Sequence, residues 1–249
     1  MKKLLLAATT AALILLSGLQ TALAQENRPG FFPIEMWACS FLDRKDQDDM
    51  NAVYEQIAEE GDVPYASWQL NPYMAGNRDD QFDFIYVGTW GSGNAMGGDI
   101  AKLISGEYES GAAWDETVDC ASFLYTGINI QDGANEEDGH YFVTISDCTA
   151  DKGVSNGQAV NGIRRYNDYL VENGQTVGSS VWFPAHGNGD ADFDFKLINI
   201  YGGPQEWGDA WQWRINNQAV QARRNYMRGV VSCDESRLYS TRTLMNTLN

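Results

Sequence analysis

Two kinds of hydrophobic pattern, with periods of two and about 3.6 residues, alternate along this chain in a repeated order. Ile34 to Phe41 reads as a strand that puts Glu35, Trp37, Cys39 and Phe41 on one side. Asp43 to Glu60 follows as a helix with Met50, Val53, Tyr54 and Ile57 in one stripe and Gly61 as its stop. Val63 to Leu70 is a second strand. Phe82 to Trp90 is a third, with Phe82, Phe84, Tyr86 and Trp90 on one face and Asp83, Ile85, Val87 and Thr89 on the other. A glycine-rich turn, a short helix over Asp99 to Ser105, a loop over 106–118 and a last strand from Cys120 to Tyr125 complete the set. Gln131 to Gly139 is polar and poor in apolar residues, as a linker would be.

After that linker the order returns. Strands are predicted at Tyr141 to Cys148, Val177 to Phe183, Phe193 to Tyr201 and Cys233 to Tyr239, with helices at Ser155 to Glu172 and Pro204 to Arg228. The tail from Ser240 carries no clear pattern. Local echoes support the repetition: Trp68 matches Trp182, Phe82-Asp83-Phe84 matches Phe193-Asp194-Phe195, and Trp90-Gly91 matches Tyr201-Gly202. Each copy reads β-α-β-β-α-β. The expected organisation is a signal peptide at 1–24, an irregular lead-in at 25–33, a first α+β repeat at 34–130, a linker at 131–139 and a second repeat at 140–245.

The amino terminus changes the picture by giving the chain an address. Lys2 and Lys3, the apolar run Leu4 to Leu16 and the small-residue site Ala22-Leu23-Ala24 have the form of a cleaved export signal. The run is too short and too interrupted for a stable membrane span. The expected destination is the periplasm or the exterior. Cleavage would remove two lysines and no acid, making the formal charge of −17 two units more negative. Such a field repels phosphate backbones, so nucleic acid is not an expected partner.

The four cysteines, Cys39, Cys120, Cys148 and Cys233, show no CxxC or Cys/His zinc spacing. An even number in an oxidising compartment favours disulfides. Because each copy holds one early and one late cysteine, the repeat predicts Cys39–Cys120 and Cys148–Cys233. Closing loops of that length is worth on the order of 4 kcal/mol each in the chain-entropy picture.

The βαββαβ order is that of the ferredoxin-like unit, a four-stranded antiparallel sheet with helices on one face. Its first and fourth strands are neighbours, which agrees with the disulfides that the repeat predicts. The tandem resembles the dimeric α+β barrel superfamily in its fused two-copy form, on element order, repetition and cysteine placement. The fold expected is therefore α+β, two tandem ferredoxin-like βαββαβ repeats packed sheet-to-sheet as a pseudo-dimeric α+β barrel. The two repeats would pair within one chain, leaving a monomer. Members of that superfamily include small monooxygenases, haem-handling enzymes, isomerases and proteins of unknown role, and a shared fold does not fix a function.

Candidate chemistry follows from the faces. Aliphatic Ile85 and Val87, like Ile198 and Ile200, suit packing under helices. The aromatic faces, with Trp37, Phe84, Tyr86, Trp90, Phe195 and Tyr201, are then expected to line the interior between the copies and to hold a small organic ligand. Glu35 and His186 are the candidate catalytic groups, as proton carriers of a cofactor-poor monooxygenase or isomerase. A non-catalytic interaction module is the other alternative, and the sequence identifies no cofactor. Asn188, Asp190, Asp192 and Asp194 alternate like calcium-loop ligands, with Asn77, Asp79, Asp80 and Asp83 as a looser parallel. They lack the glycine and closing glutamate of an EF-hand, so a solvated turn is the expected reading and no metal is assigned. The glycine-rich Gly88 to Gly98 has no Lys-Ser/Thr of a phosphate loop.

Overall fold

The computed structural model describes residues 30–248 apart from 62, 77–81, 133–139, 176 and 190. The expected signal peptide, most of the lead-in, most of the linker, Asn77, Asp79, Asp80 and Asp190 therefore lie outside the described residues. Phe31–Asn249 forms one compact unit.

Nine strands and six helices are described. In the first half they are β1 (Phe31–Phe41), α1 (Gln47–Glu60), β2 (Tyr65–Met74), β3 (Phe84–Trp90), α2 (Gly93–Ser105), α3 (Ser110–Asp115) and β4 (Val118–Gln131). In the second they are β5 (His140–Ala150), α4 (Asn156–Glu172), β6 (Gly178–His186), β7 (Phe195–Tyr201), α5 (Pro204–Asn216), α6 (Ala219–Met227), β8 (Val231–Cys233) and β9 (Arg237–Asn246). Local signals set the first helix of each half. Asp46 with Asp49, and Ser155 with Gln158, form capping boxes that satisfy the first free N–H groups of α1 and α4.

Eight strands pair in the order β7-β6-β4-β1-β3-β2-β9-β5, and β5 pairs with β7 to close an antiparallel barrel; β8 extends the edge of β5. Within it the first-half strands run β4-β1-β3-β2 and the second-half strands β9-β5-β7-β6. The two sheets meet at their edges, through β4–β6 and β2–β9, so the packing is one closed barrel rather than two flat layers face to face. Closure gives each of the eight barrel strands a neighbour on both sides and so removes the open edges that are the usual liability of a sheet.

Both expected disulfides are present, Cys39–Cys120 and Cys148–Cys233. Each joins directly opposed residues of adjacent strands, Cys39 with Cys120 and Cys148 with Cys233. The Phe-Asp-Phe echo has the same physical meaning in both halves. The Asp83 N–H donates to Cys39 O at 2.8 Å while its carboxylate accepts from Phe41 N at 2.7 Å. The Asp194 N–H donates to Cys148 O at 2.9 Å while its carboxylate accepts from Ala150 N at 2.8 Å.

Other expectations need correction. The predicted helix Pro204 to Arg228 is two helices, broken where Gln218 takes a left-handed conformation (φ 56°). The stretch 106–118, expected as a loop, contains α3, whose first N–H groups are capped by Glu60 across the chain. The final strand is split into β8 and β9, and β9 extends through the unpatterned tail to pair with β2.

The faces are the largest correction. The barrel interior is mixed, with aliphatic Ile34, Met36, Leu70, Ile85, Val87, Val143, Ile145 and Ile198 beside Tyr125, Trp182 and Tyr239, and with Phe32, Trp68, Phe82, Phe123, Tyr141 and Phe193 packed against them. Phe84, Tyr86 and Trp90 point the other way, into the layer beneath the first-half helices, with Met50, Val53 and Tyr65. Phe195 lies likewise beneath the second-half helices with Val160, Ile163 and Met227, and Tyr201 with Val177 and Ala210. Strand alternation specifies which residues share a face and is silent on which face turns inward.

Candidate functional site

A cavity of about 710 Å³ lies between the first-half sheet and its helices. Strands β1, β2 and β3 supply its floor through Glu35, Trp37, Tyr65, Tyr86 and Trp90, and α2, α3 and the segment between them supply Asp99, Tyr108, Ser110 and Trp114. Its size falls in the range of small-molecule sites.

Glu35 is the central polar group. Tyr65 OH donates to Glu35 Oε1, and Trp37 Nε1 donates to Glu35 Oε2 at 2.9 Å. The hydroxyls of Tyr65 and Tyr86 share a hydrogen bond of 2.8 Å. This assembly depends on an absence of side chain at Gly88, which faces Glu35 across the β1–β3 ladder and Ser67 across β2–β3. A Cβ there would fall 1.7 Å from the Tyr65 hydroxyl and 2.6 Å from Glu35 Oε1. Rings enclose the group: Trp114 meets Tyr86 edge-on at 5.1 Å and Trp37 at 5.7 Å, and Tyr54 stacks on Tyr86 at 6.2 Å.

Among the described lining residues there is no Lys, Arg or His, whereas Glu35, Glu60, Asp99, Glu109 and Asp115 are all there. Burial therefore pushes the Glu35 carboxyl above its ordinary 4.5; hydrogen bonds from Tyr65 and Trp37 oppose the shift, and the charge of Asp99 adds to it. Burial also pushes Tyr65 well up, reinforced by the charge of Glu35, and raises Tyr86 for the same two reasons. Both phenols thus stay protonated as donors. Asp99, on α2, accepts from Trp90 Nε1 at 2.8 Å and from Tyr108 OH at 2.7 Å, tying that helix to β3. Glu60 accepts from the Ser110 hydroxyl at 2.5 Å and from the N–H groups of Glu109 and Ser110.

Of the ligand-lining candidates, Trp37, Tyr86 and Trp90 converge on this cavity, and Glu35 stands among them. Phe84 is buried in the same layer. Phe195 and Tyr201 are buried in the second half, where Tyr201 OH accepts from Arg214 Nη1 at 3.0 Å. His186 is exposed at the end of β6, and His140 is exposed at the start of β5. The Asn188 amide donates to Leu124 O and His186 O, and the Asp194 carboxylate is held by Ala150 N. Among the described residues no group of three or more His, Cys, Asp or Glu suits a metal ion. The sequence reading missed Tyr65, Gly88, Asp99 and Trp114. Gly88 carried a signal, since a glycine inside an aromatic strand marks a close approach.

A second cavity, of about 1050 Å³, opens at one end of the barrel and is lined by both halves. Its charged group is different in kind: the Asp147 carboxylate accepts from Lys196 Nζ at 2.6 Å and from Arg237 Nη1 at 3.1 Å. Burial alone would raise the Asp147 carboxyl, but the charge of Lys196 and hydrogen bonds from Lys196 and Arg237 together bring it below its ordinary value.

No family model and no curated protein matches the chain. Solved structures do. An anthrone oxidase-like protein is 12% identical with a TM-score of 0.52, covering 88% of this chain and 95% of that one. A Lactobacillus acidophilus protein provisionally named a monooxygenase is 9% identical with a TM-score of 0.53, covering 87% and 97%. A variant of the chlorite dismutase from Candidatus Nitrospira defluvii is 10% identical with a TM-score of 0.51, covering 88% and 93%. At such identities the likeness shows the fold, that of the dimeric α+β barrels.

The haem-handling members of that superfamily raise one test. An axial haem ligand is a histidine, thiolate or similar donor. Both histidines are exposed and line neither cavity, all four cysteines are bridged, and the Tyr65 and Tyr86 hydroxyls are engaged with Glu35 and each other. Among the described residues, then, no histidine or free thiolate stands at either cavity to hold a haem iron.

Proposed function

We propose that this chain is an exported tandem of two ferredoxin-like units, paired within one molecule. Its first-half cavity binds a small aromatic molecule, from which Glu35 removes a proton. The observation that carries this reading is a carboxyl buried among aromatic rings with no cation beside it. Burial makes its carboxylate a stronger base than one in water, which is how enzymes tune carboxyl groups for proton transfer. Tyr65 and Trp37 fix its orientation, and the rings of Trp37, Tyr86, Trp90 and Trp114 offer faces for a planar substrate. The proton leaves a carbon next to a carbonyl, its electron pair moves into the carbonyl group, and the Glu35 carboxylate becomes the acid. The supporting likeness is to a protein named anthrone oxidase-like and to one provisionally named a monooxygenase.

Anthrone is the probe. Its central CH₂ is an activated carbon acid, and oxidation by O₂ gives anthraquinone and water in equal amounts. Oxygen consumption with matching anthraquinone formation, lost roughly 10²-fold or more in Glu35→Gln, is the expected result. Exchange of the CH₂ hydrogens with deuterated water, without oxygen uptake, would place the chain with isomerases instead. Neither turnover nor exchange across anthrone and related carbonyl compounds, with binding unchanged in the variant, would leave a binding protein and overturn the catalytic reading. Export predicts a mature chain beginning near Gln25, read by mass spectrometry of protein from its own host.

A further inference from the structure

Strands β3 and β7 end in matched rings, and the two halves face those rings with opposite charges. Strand pairing sets Phe84 opposite Cys39 and Phe195 opposite Cys148, so Trp90 and Tyr201 stand at the same position. The second half supplies its own cation there. The Arg214 guanidinium, from α5, lies 5.8 Å from the Tyr201 ring centroid and donates to its hydroxyl at 3.0 Å. At Trp90 the following helix, α2, brings a carboxylate instead, and Asp99 accepts from the indole N–H at 2.8 Å. Other cations of the chain also find rings, Lys196 over Phe193 and Arg242 over Tyr54. Lys102 stands 5.8 Å from the ring centroid of Tyr108, at the edge of the Glu35 cavity, and pairs with Glu107 at 4.0 Å. Among the described residues no cation lies over Trp37, Tyr65, Tyr86, Trp90 or Trp114, the other rings of that cavity.

The carboxylates of this cavity are held by neutral donors. Glu35 accepts from Tyr65 and Trp37, Asp99 from Trp90 and Tyr108, and Glu60 from the Ser110 hydroxyl and two backbone N–H groups. Each oxygen of Glu35 and of Asp99 has one such partner and can accept another. Glu109 and Asp115 add exposed acids to the same lining. Charges held in a cavity without a counter-ion are costly, and the faces of the rings beside them attract cations as well. We infer that the ligand of the Glu35 cavity is an aromatic molecule carrying a positively charged amine, with its ring among the tryptophans and its ammonium against Glu35 and Asp99. This rests on the cavity being the binding and reaction site, and it names the class of substrate taken there. Among the described lining residues no cation balances the charge that develops as a proton leaves carbon, and the substrate's own ammonium does so.

Calorimetric titration of the full chain with three ligands of one shape tests this: 2-naphthylmethylammonium, 2-naphthylmethanol and 2-naphthoate. The ammonium should bind roughly tenfold or more tighter than the alcohol, the worth of a charged hydrogen bond with a cation over a ring, and the carboxylate should bind weakest. Asp99→Asn should remove most of that preference and leave the alcohol nearly unchanged. Leu103 lines the cavity and is 44% exposed, so Leu103→Lys adds a cation at little cost to the fold. It should weaken the ammonium against the alcohol even if Asp99→Asn misfolds. An alcohol that binds as tightly as the ammonium, or a carboxylate that binds tightest, would overturn the inference and leave the cavity standing as a binding site. So would an ammonium that does not bind to a chain that turns over anthrone. No binding of any of the three, with anthrone inert as well, would overturn the reading of the cavity and this inference with it.

Discussion

The first half keeps its charge on the helix side of the sheet, and the second keeps its charge inside the barrel. At the positions of Glu35, Trp37, Tyr86 and Gly88 the second half has Thr144, Ser146, Leu197 and Asn199, by strand pairing. There Asn199 bonds Thr144 at 3.3 Å, where Gly88 leaves room for Glu35 and Tyr65. What the halves share is the frame: strand order, disulfide placement, and the aspartate that holds the end of β1 or β5. The difference teaches that the frame is set by backbone pairing and a few fixed contacts. The two faces of each sheet are then free to diverge.

The comparison can be broken most forcefully at the disulfides. They close loops of 81 and 85 residues, so removing either by paired Cys→Ser substitution should cost on the order of 4 kcal/mol, and nearly the same for both. Denaturant titration of Cys39→Ser/Cys120→Ser and Cys148→Ser/Cys233→Ser checks the equality; a large inequality would mean that the halves do not share a frame. Gly88→Ala comes next. Its methyl must displace the Tyr65 hydroxyl, costing about 1–3 kcal/mol and most of the activity at Glu35, whereas Asn199→Ala should cost no more than its one weak hydrogen bond. Asp83→Ala and Asp194→Ala each remove one carboxylate bond to a strand N–H and should cost about 1–2 kcal/mol apiece, equal within error by thermal melts.

The smallest effects, read in stability against pH, should have opposite signs in the two halves. Glu35 has a raised pKa when folded, so its contribution is complete below its ordinary 4.5 and is lost as pH rises through the folded value. Glu35→Gln should therefore flatten the decline of stability between 4.5 and the raised folded value. Asp147 has a lowered pKa when folded, so its contribution is present above its ordinary 3.8 and is lost as pH falls through the lowered value. Asp147→Asn should remove that acid-side loss, while lowering stability at neutral pH. Melting curves between pH 3 and 9 would show both, and a shared sign would contradict the assignment of the two carboxyls.

Much of the frame was legible in the residues. Cysteine spacing and the Phe-Asp-Phe echo pointed to the disulfides, because the two halves set matched residues on strands in the same order. Alternation placed Glu35 and Trp37 on one face together. The site was legible only in part: Glu35, Trp37, Tyr86 and Trp90 were candidates, but their cavity was expected between the halves. His186 was chosen for its type and its place at a strand end, and it is exposed and lines neither cavity.

By itself, then, the sequence determined which side chains share a strand face, where the first helices start, and which cysteines bridge, since these depend on local spacing and on repetition. Which face turned inward was decided only when β4 met β6 and β2 met β9. Closing the sheet forces one face of every strand into the lumen at once, and no single strand carries that instruction. The contact of Gly88, Tyr65 and Glu35 was decided there too, because it joins three strands that are distant along the chain and adjacent only in the barrel.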